Sequence, residues 1–210
     1  MHPLRTLLDS AAIGRFPAVD GVVEVHGPER SGHLAVVEFT GHSVVLADGP
    51  TEIVRAEIEA LGGDGFGGAS HPDVTRHLAG RRASIGTHDA MLVSTGGGLD
   101  PDDVGLVERH DLESHERVVR SRRHRLDVRV FGDEVGLITI GVGLVGRLEM
   151  SVELLGESMP GSGRRLIERG LAIAPAEPIW AQVAPGNAAS LRAFLACGFT
   201  PIGAETLITR

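Results

Sequence analysis

The residues best suited to chemistry stand in two adjoining stretches, Arg147-Leu-Glu-Met-Ser-Val-Glu-Leu154 and Pro160-Gly-Ser-Gly-Arg-Arg-Leu-Ile167. In the first, Leu148, Met150, Val152 and Leu154 alternate with Arg147, Glu149, Ser151 and Glu153. An extended chain with that alternation has one apolar face and one face carrying carboxylates. In the second, Gly161 and Gly163 flank Ser162 and remove β-carbons where main-chain amides must approach a ligand closely. Amides of that turn, added to a helix N-terminus, form a cradle for phosphate oxygens. Arg164 and Arg165 stand in the first helical turn, where acidic side chains are the normal preference, so two cations there point to a compensating anion. The same residues also fit a tight turn leading into a surface helix.

A second constellation is Val183-Ala-Pro-Gly-Asn-Ala-Ala-Ser-Leu-Arg-Ala-Phe-Leu-Ala-Cys-Gly-Phe199. Asn187 is a good N-cap and Ser190 occupies the third helical position. Leu191, Phe194 and Leu195 recur at helical spacing as a buried stripe, and Gly198 stops the helix after Cys197.

The elements that must hold these residues follow from periodicity. Strands are expected at 126–131, 136–140 and 147–154, with turns at Gly132-Asp133-Glu134 and at 141–146. A helix at 163–173, a strand at 179–183, a helix at 187–197 and strands at 199–202 and 206–208 complete that segment. Upstream, 104–107 reads as a strand and 113–123 as an arginine-rich helix. In the first part of the chain, 34–39 and 43–47 read as a hairpin around Thr40-Gly41-His42, followed by helices at 51–61 and 72–78 and a strand at 90–93. Ile53, Val54, Ile58 and Leu61 form the apolar side of the first of those helices. Residues 95–103, glycine-rich and then acidic, read as a flexible boundary between segments 1–100 and 104–210. Antiparallel strands followed by α/β units make the fold class α/β (α+β): a mixed, largely antiparallel central sheet with helices on both faces.

Composition narrows the classes further. The chain has 210 residues, 42% of them hydrophobic, and a formal charge of −8. That is enough chain for a sizeable core without staples, and it excludes disorder, collagen and coiled coil. No stretch approaches a membrane span, and residues 1–13 are amphipathic without a signal peptide's apolar block. With Cys197 as the single cysteine, an intracellular, cytoplasmic protein is expected. An acidic balance argues against nucleic acid as the main partner. All basic residues are arginine and there is no tyrosine; a residue that is absent cannot act. The ten histidines all precede residue 125 at spacings unsuited to a shared helical face, so no metal site is expected. Gly63-Asp-Gly-Phe-Gly-Gly68 satisfies GxGxxG, but a dinucleotide turn needs a strand before it and a helix at once after it, whereas a helix precedes this one. Arg117, Arg120, Arg122, Arg123 and Arg125, interleaved with acids and lacking aromatics, read as an exposed helix face.

Taken together, residues 126–205 resemble the C-terminal half of the GNAT superfamily of acetyl-CoA-dependent N-acetyltransferases. Three antiparallel strands lead into a glycine turn and helix, then a strand, then Asn-x-x-Ser-x-x-Ala-Phe-x-x-x-Gly-Phe. The resemblance implies a GNAT-like fold that binds acetyl-CoA (coenzyme A). The family's turn reads Gln/Arg-x-x-Gly-x-Gly/Ala. Here Gly161 and Gly163 match, while Ser158 stands where Gln or Arg is usual, and Arg164 or Arg165 would compensate. It further implies that Gly161, Ser162, Gly163, Arg164 and Arg165 hold the pyrophosphate. Backbone near Val152 and Leu154 would pair with the pantetheine arm as with an added strand. Asn187, Ser190, Arg192 and Phe194 would lie along its other side. Many members carry Tyr at the Phe194 position as a proton donor to the departing thiolate. With a thiol pKa of about 8.5 the thiolate leaves without a strong acid, and water, Ser190 or Cys197 are the remaining donors.

An amine acceptor must lose a proton before attacking a thioester, a task for a carboxylate of raised pKa. Glu149 and Glu153 are the expected bases, with Glu149 nearer the family's usual position, and strand amides would stabilise the oxyanion. The expected reaction is acetyl transfer from acetyl-CoA to a primary amine of a small molecule or protein, with no nucleic acid or membrane partner. The rival is a catalytically silent acyl-CoA-binding or interaction module of the same fold. Residues 1–100 are expected to be either a degenerate copy of the half-fold or a lid over the acceptor site. A homodimer is left open.

Overall fold

A computed structural model describes residues 1–28, 32–157 and 159–209. Two compact units divide the chain: Met1–Met91 with Ile202–Arg210, and Leu92–Pro201. The boundary therefore differs from the one expected at 100–104, and the last strand belongs with the first unit. Among the described residues no helix is long and apolar enough to cross a membrane.

The first unit begins with α1 (Pro3–Ala12), capped by His2 and buried through Leu4, Leu8 and Ala11. Strands β1 (Val23–His26), β2 (Leu34–Phe39) and β3 (His42–Leu46) follow, with β3 parallel to β1 and antiparallel to β2. Helices α2 (Thr51–Ala60) and α3 (Pro72–Ala79) come next. The core gathers Val23, Val25, Val36, Val45, Val54, Ile58 and Val74. Only Val54 and Ile58 of α2 are buried, and the expected Ile53 and Leu61 lie exposed at its edges. Strand β4 (Ser84–Thr95) is far longer than the four residues expected, and its polar first half hid it from hydrophobic patterning.

In the second unit the glycine stretch after β4 is no loose linker. The amides of Gly96, Gly97, Gly98 and Leu99 donate to carbonyls of Glu177, Leu171, Ala174 and Ala172 at 2.8–3.1 Å. A β-carbon at Gly96 would collide with the Pro175 carbonyl, so glycine is required for this close approach. The expected strand at 104–107 is instead a 3-10 turn at Pro101–Val104, capped by Asp100, with a two-residue strand β5 (Val107–Glu108).

Helix α4 (Glu116–His124) then precedes the sheet proper: β6 (Leu126–Gly132), β7 (Gly136–Val142) and β8 (Leu148–Leu154). Helix α5 (Ser162–Ile173), β9 (Pro178–Val183) and α6 (Ala188–Ala196) follow. The strand order is β9-β8-β7-β6-β5, antiparallel except for β8 and β9. Leu148, Met150, Val152 and Leu154 turn their alternate face to a core with Leu166 and Ile167 of α5 and Phe194 of α6. The opposite face lies under α4, whose Val118 packs on Val128, Val130 and Leu137. Strand β10 (Thr200–Thr209) is one continuous element where two were expected, antiparallel to β2. Gly203 does not break it, because the missing β-carbon leaves room for the Glu38 carbonyl.

Candidate functional site

The parallel ladder between β8 and β9 consists of Leu148↔Ile179 and Glu149↔Trp180, although β8 runs on to Leu154 and β9 to Val183. The strands part like a fork, leaving Met150–Leu154, about 16 Å of strand, unpaired on that side among the described residues. Which main-chain groups face the opening follows from the other edge. The Leu155 amide donates to the Val135 carbonyl at 2.8 Å, and the β7–β8 register is regular from Gly136↔Leu154 to Val142↔Leu148. Period-two alternation then turns the N–H and C=O groups of Met150, Val152 and Leu154 toward the fork. Both parallel strands deliver the chain to helices beyond their carboxyl ends, where crevices in such sheets take ligands.

Helix α5 starts there. Its N-cap is Gly161 with φ +86°, in the left-handed region that favours glycine; no side chain caps it, and its first turn holds no acid. The Ser162 amide donates to the Met159 carbonyl at 3.1 Å and Arg165 begins the helical series on the Gly161 carbonyl. Among the described residues the amides of Gly163 and Arg164 are left as first-turn donors. A β-carbon at Gly163 would stand 3.7 Å from Leu154 Cδ1, so this turn lies against the end of β8. Arg164 is held by Glu168 at 2.8 Å, whereas Arg165 has no carboxylate partner among the described residues and donates to the buried Ser162 hydroxyl at 3.1 Å. Arg165 is thus a cation at this turn without an anion among the described residues. Ser158 lies outside the described residues.

On α6, Asn187 Oδ1 accepts from the Ser190 amide at 3.1 Å, the capping read from the sequence. Asn187 and Arg192 are exposed and Ser190 half-buried. Phe194 differs from its expected place beside a cofactor. It is 4% exposed and packs edge-on against Phe199 with ring centroids 4.9 Å apart, so it is a core aromatic. Cys197 Sγ donates to the Arg164 carbonyl at 3.5 Å, and burial pushes its thiol pKa up.

The carboxylate face of β8 holds the larger surprise. Three α4-side residues one turn apart meet three alternate residues of β8: Arg117 meets Glu153, Ser121 meets Ser151, and Arg125 meets Glu149. Four helical residues advance about 6 Å and two strand residues about 6.6 Å, so the two periods stay in step. At the centre Ser121, Thr139 and Ser151 form a hydroxyl triangle, with Thr139 2.9 Å from Ser121 and 2.7 Å from Ser151.

Glu149 is fully enclosed. Its Oε1 accepts from Arg147 Nε at 2.7 Å and from the Leu144 amide at 3.3 Å, and its Oε2 from Arg125 Nε at 2.7 Å. Burial alone would raise its pKa, but Arg147 and Arg125 outweigh that and hold the carboxyl at about 2. The raised pKa expected of a base at this position is corrected: Glu149 is the centre of a buried ionic cluster, with Arg147 also lying over the Trp180 ring at 5.5 Å. Glu153, by contrast, is about a third exposed and paired with Arg117 at 2.7 Å, beside the unpaired part of β8. Sequence reasoning passed over Thr139, Gln182 and Gly143, and it placed Arg125 on an exposed helix face, whereas that side chain is 11% exposed and turned inward onto Glu149. The signal that reveals Arg125 is the match between Arg-x3-Ser-x3-Arg at 117–125 and Glu-x-Ser-x-Glu at 149–153. Among the described residues no group of acids, histidines and cysteine is placed to hold a metal ion.

Comparison with known proteins gives likeness in structure alone. No protein-family model matches the chain, and no curated protein matches it. A GCN5-related N-acetyltransferase from Kribbella flavida is similar over 98% of this chain and 93% of its own, at 15% identity and TM-score 0.43. An acetyltransferase assigned to the GNAT family from Novosphingobium aromaticivorans DSM 12444 is similar over 61% and 67%, at 17% identity and TM-score 0.42. A functionally unknown conserved protein from Staphylococcus epidermidis ATCC 12228 is similar over 91% and 95%, at 12% identity and TM-score 0.40.

Proposed function

We propose that the chain is an N-acetyltransferase that binds acetyl-CoA in the β8–β9 fork and passes the acetyl group to a primary amine. The observation that carries this reading is the fork itself: a parallel pair that separates after Glu149↔Trp180 and leaves one strand edge open beside an uncapped helix N-terminus. A coenzyme A fits the donors present. Its amide-bearing arm complements the N–H and C=O groups of Val152 and Leu154 as an added strand would. Its diphosphate complements the Gly163 and Arg164 amides and the unneutralised Arg165, with Gly161 and Ser162 shaping the turn. Asn187, Ser190 and Arg192 lie beyond the end of β9 and line the other side.

When bound, acetyl-CoA supplies the activated acyl group, and the chain's own groups do the rest. Main-chain N–H groups of the open β8 edge meet charge that develops on the thioester oxygen. Glu149 is unsuited to take the amine proton, being enclosed by two arginines, so the base role falls to Glu153, directly or through a water. The reading is tested by calorimetry of the whole chain with acetyl-CoA, followed by release of free coenzyme A across a panel of amines. Binding with amine-dependent release supports transfer; no binding overturns the reading.

A second reading, an acyl-CoA-binding module without turnover, is favoured by one observation: the acid in the expected base position is buried and ion-paired to both Arg125 and Arg147 at 2.7 Å. Binding without release on any amine would select it.

A further inference from the structure

Beyond Glu149↔Trp180 the main-chain ladder has ended, so something else must set how far β8 and β9 stand apart. The guanidinium of Arg125 lies at that point. Its Nε donates to Glu149 Oε2 on β8 at 2.7 Å, its Nη2 to Gln182 Oε1 on β9 at 3.3 Å, and its Nη1 to Thr139 Oγ1 on β7 at 3.4 Å. We infer that Arg125 is a positioning residue that fixes the width of the fork by gripping Glu149 on one strand and Gln182 on the other. The inference rests on the reading that the fork receives coenzyme A.

The grip is built to be stiff. Arg125 is the C-cap of α4, and its amide donates to the Ser121 carbonyl at 2.9 Å, so the side chain springs from a fixed backbone. Its side chain is 11% exposed and that of Glu149 4%, which shields the pair from salt. Glu149 is pinned from its other side by Arg147 and the Leu144 amide, so the β8 end cannot drift. At the β9 end the orientation of Gln182 is settled by chemistry: a guanidinium only donates, so the carboxamide oxygen faces it. The Gln182 Nε2 finds no acceptor among the described residues, which leaves Oε1 as the single side-chain tie from Gln182. Reaching three strands at once needs a planar group with donors pointing several ways, and a lysine ammonium lacks that geometry. A fork held open in advance spares the ligand the cost of ordering it.

The test measures coenzyme A affinity by calorimetry and unfolding midpoints for the full-length chain and for Gln182→Met, Gln182→Glu and Arg125→Lys. Gln182→Met keeps the length and apolar stem but removes the oxygen. We expect it to lose about tenfold in affinity with an unfolding midpoint close to wild type and faster amide exchange confined to 181–183. Gln182→Glu presents an oxygen to the same Nη2 and is expected to recover most of that loss. Arg125→Lys is expected to weaken binding similarly; should it fail to fold, the Gln182 pair still decides. If Gln182→Met binds as tightly as wild type, the inference is overturned while the functional reading stands. If wild type binds no coenzyme A, the functional reading falls and this inference with it.

Discussion

Gly143 makes room for the carboxylate of Glu149: a β-carbon at position 143 would overlap both of its oxygens. The glycine lies in the β7–β8 connection, where its amide donates to the Arg147 carbonyl at 2.8 Å and the next amide, of Leu144, donates to Glu149 itself. The loop is folded around the acid. Val145, held at φ +50° within it, bears strain that a β-branched residue rarely accepts. Gly143→Ala is therefore expected to lower stability by about 2–3 kcal/mol, since the displaced group is a buried charge tied to two arginines. Urea unfolding of the variant against wild type measures it, and a difference below experimental error would mean that the loop yields freely.

The ionic cluster also sets an acid limit. Glu149 has its pKa lowered from 4.5 to about 2. A carboxyl lowered on folding contributes stability that is complete above its unfolded pKa and is lost as pH falls toward its folded one. Wild type is thus expected to lose stability between about pH 5 and pH 2 more steeply than Glu149→Gln. At neutral pH the same variant is expected to be less stable by about 3–5 kcal/mol, because Arg125 loses its buried counterion and Arg147 loses one of its partners. Unfolding midpoints from pH 7 to pH 2 for both proteins check the two statements together.

Much of this architecture can be read from the chain. The alternation in 147–154, the cap at Asn187 and the glycine turn before α5 are local patterns, and local patterns survive folding. Environments built from distant residues do not announce themselves. Glu149 looks like any acid on a strand's polar face until Arg125, 24 residues away, closes over it. The pairing of Arg117, Ser121 and Arg125 with Glu153, Ser151 and Glu149 is written in the sequence, but only as two periods that must be compared with one another. Residues 95–103 mislead for a different reason. Glycine serves both flexible joints and close backbone contact, and composition alone does not separate the two.

Gly163 offers a cleaner test of the anion cradle than Gly161. At Gly161 the φ of +86° would strain any side chain, so lost binding there would mix backbone distortion with steric exclusion. Gly163 is helical, and a β-carbon there meets Leu154 Cδ1 at an ordinary 3.7 Å. Gly163→Val is expected to fold with an unfolding midpoint near wild type and to lose coenzyme A affinity by about tenfold or more as the branched side chain crowds the first-turn amides. Calorimetry reads the affinity and circular dichroism the fold. Undiminished affinity would place the diphosphate elsewhere.

Glu153 and Glu149 differ by two residues on one face of one strand, yet their surroundings assign them opposite work. Glu149 is enclosed between arginines, while Glu153 is about a third exposed, with one arginine at 2.7 Å and the unpaired edge of β8 beneath it. Removing the Glu153 carboxylate leaves the core untouched, because an ion pair this exposed adds about 1 kcal/mol or less. Glu153→Gln is therefore expected to keep its unfolding midpoint and coenzyme A affinity while amine-dependent release of coenzyme A slows by about 100-fold or more, the usual loss when a general base is removed. The dependence on pH sharpens the test. If Glu153 takes the amine proton, raising the pH deprotonates the amine in solution and narrows the gap between variant and wild type. A gap that stays constant from neutral to alkaline pH would show that the carboxylate positions substrate rather than accepting its proton.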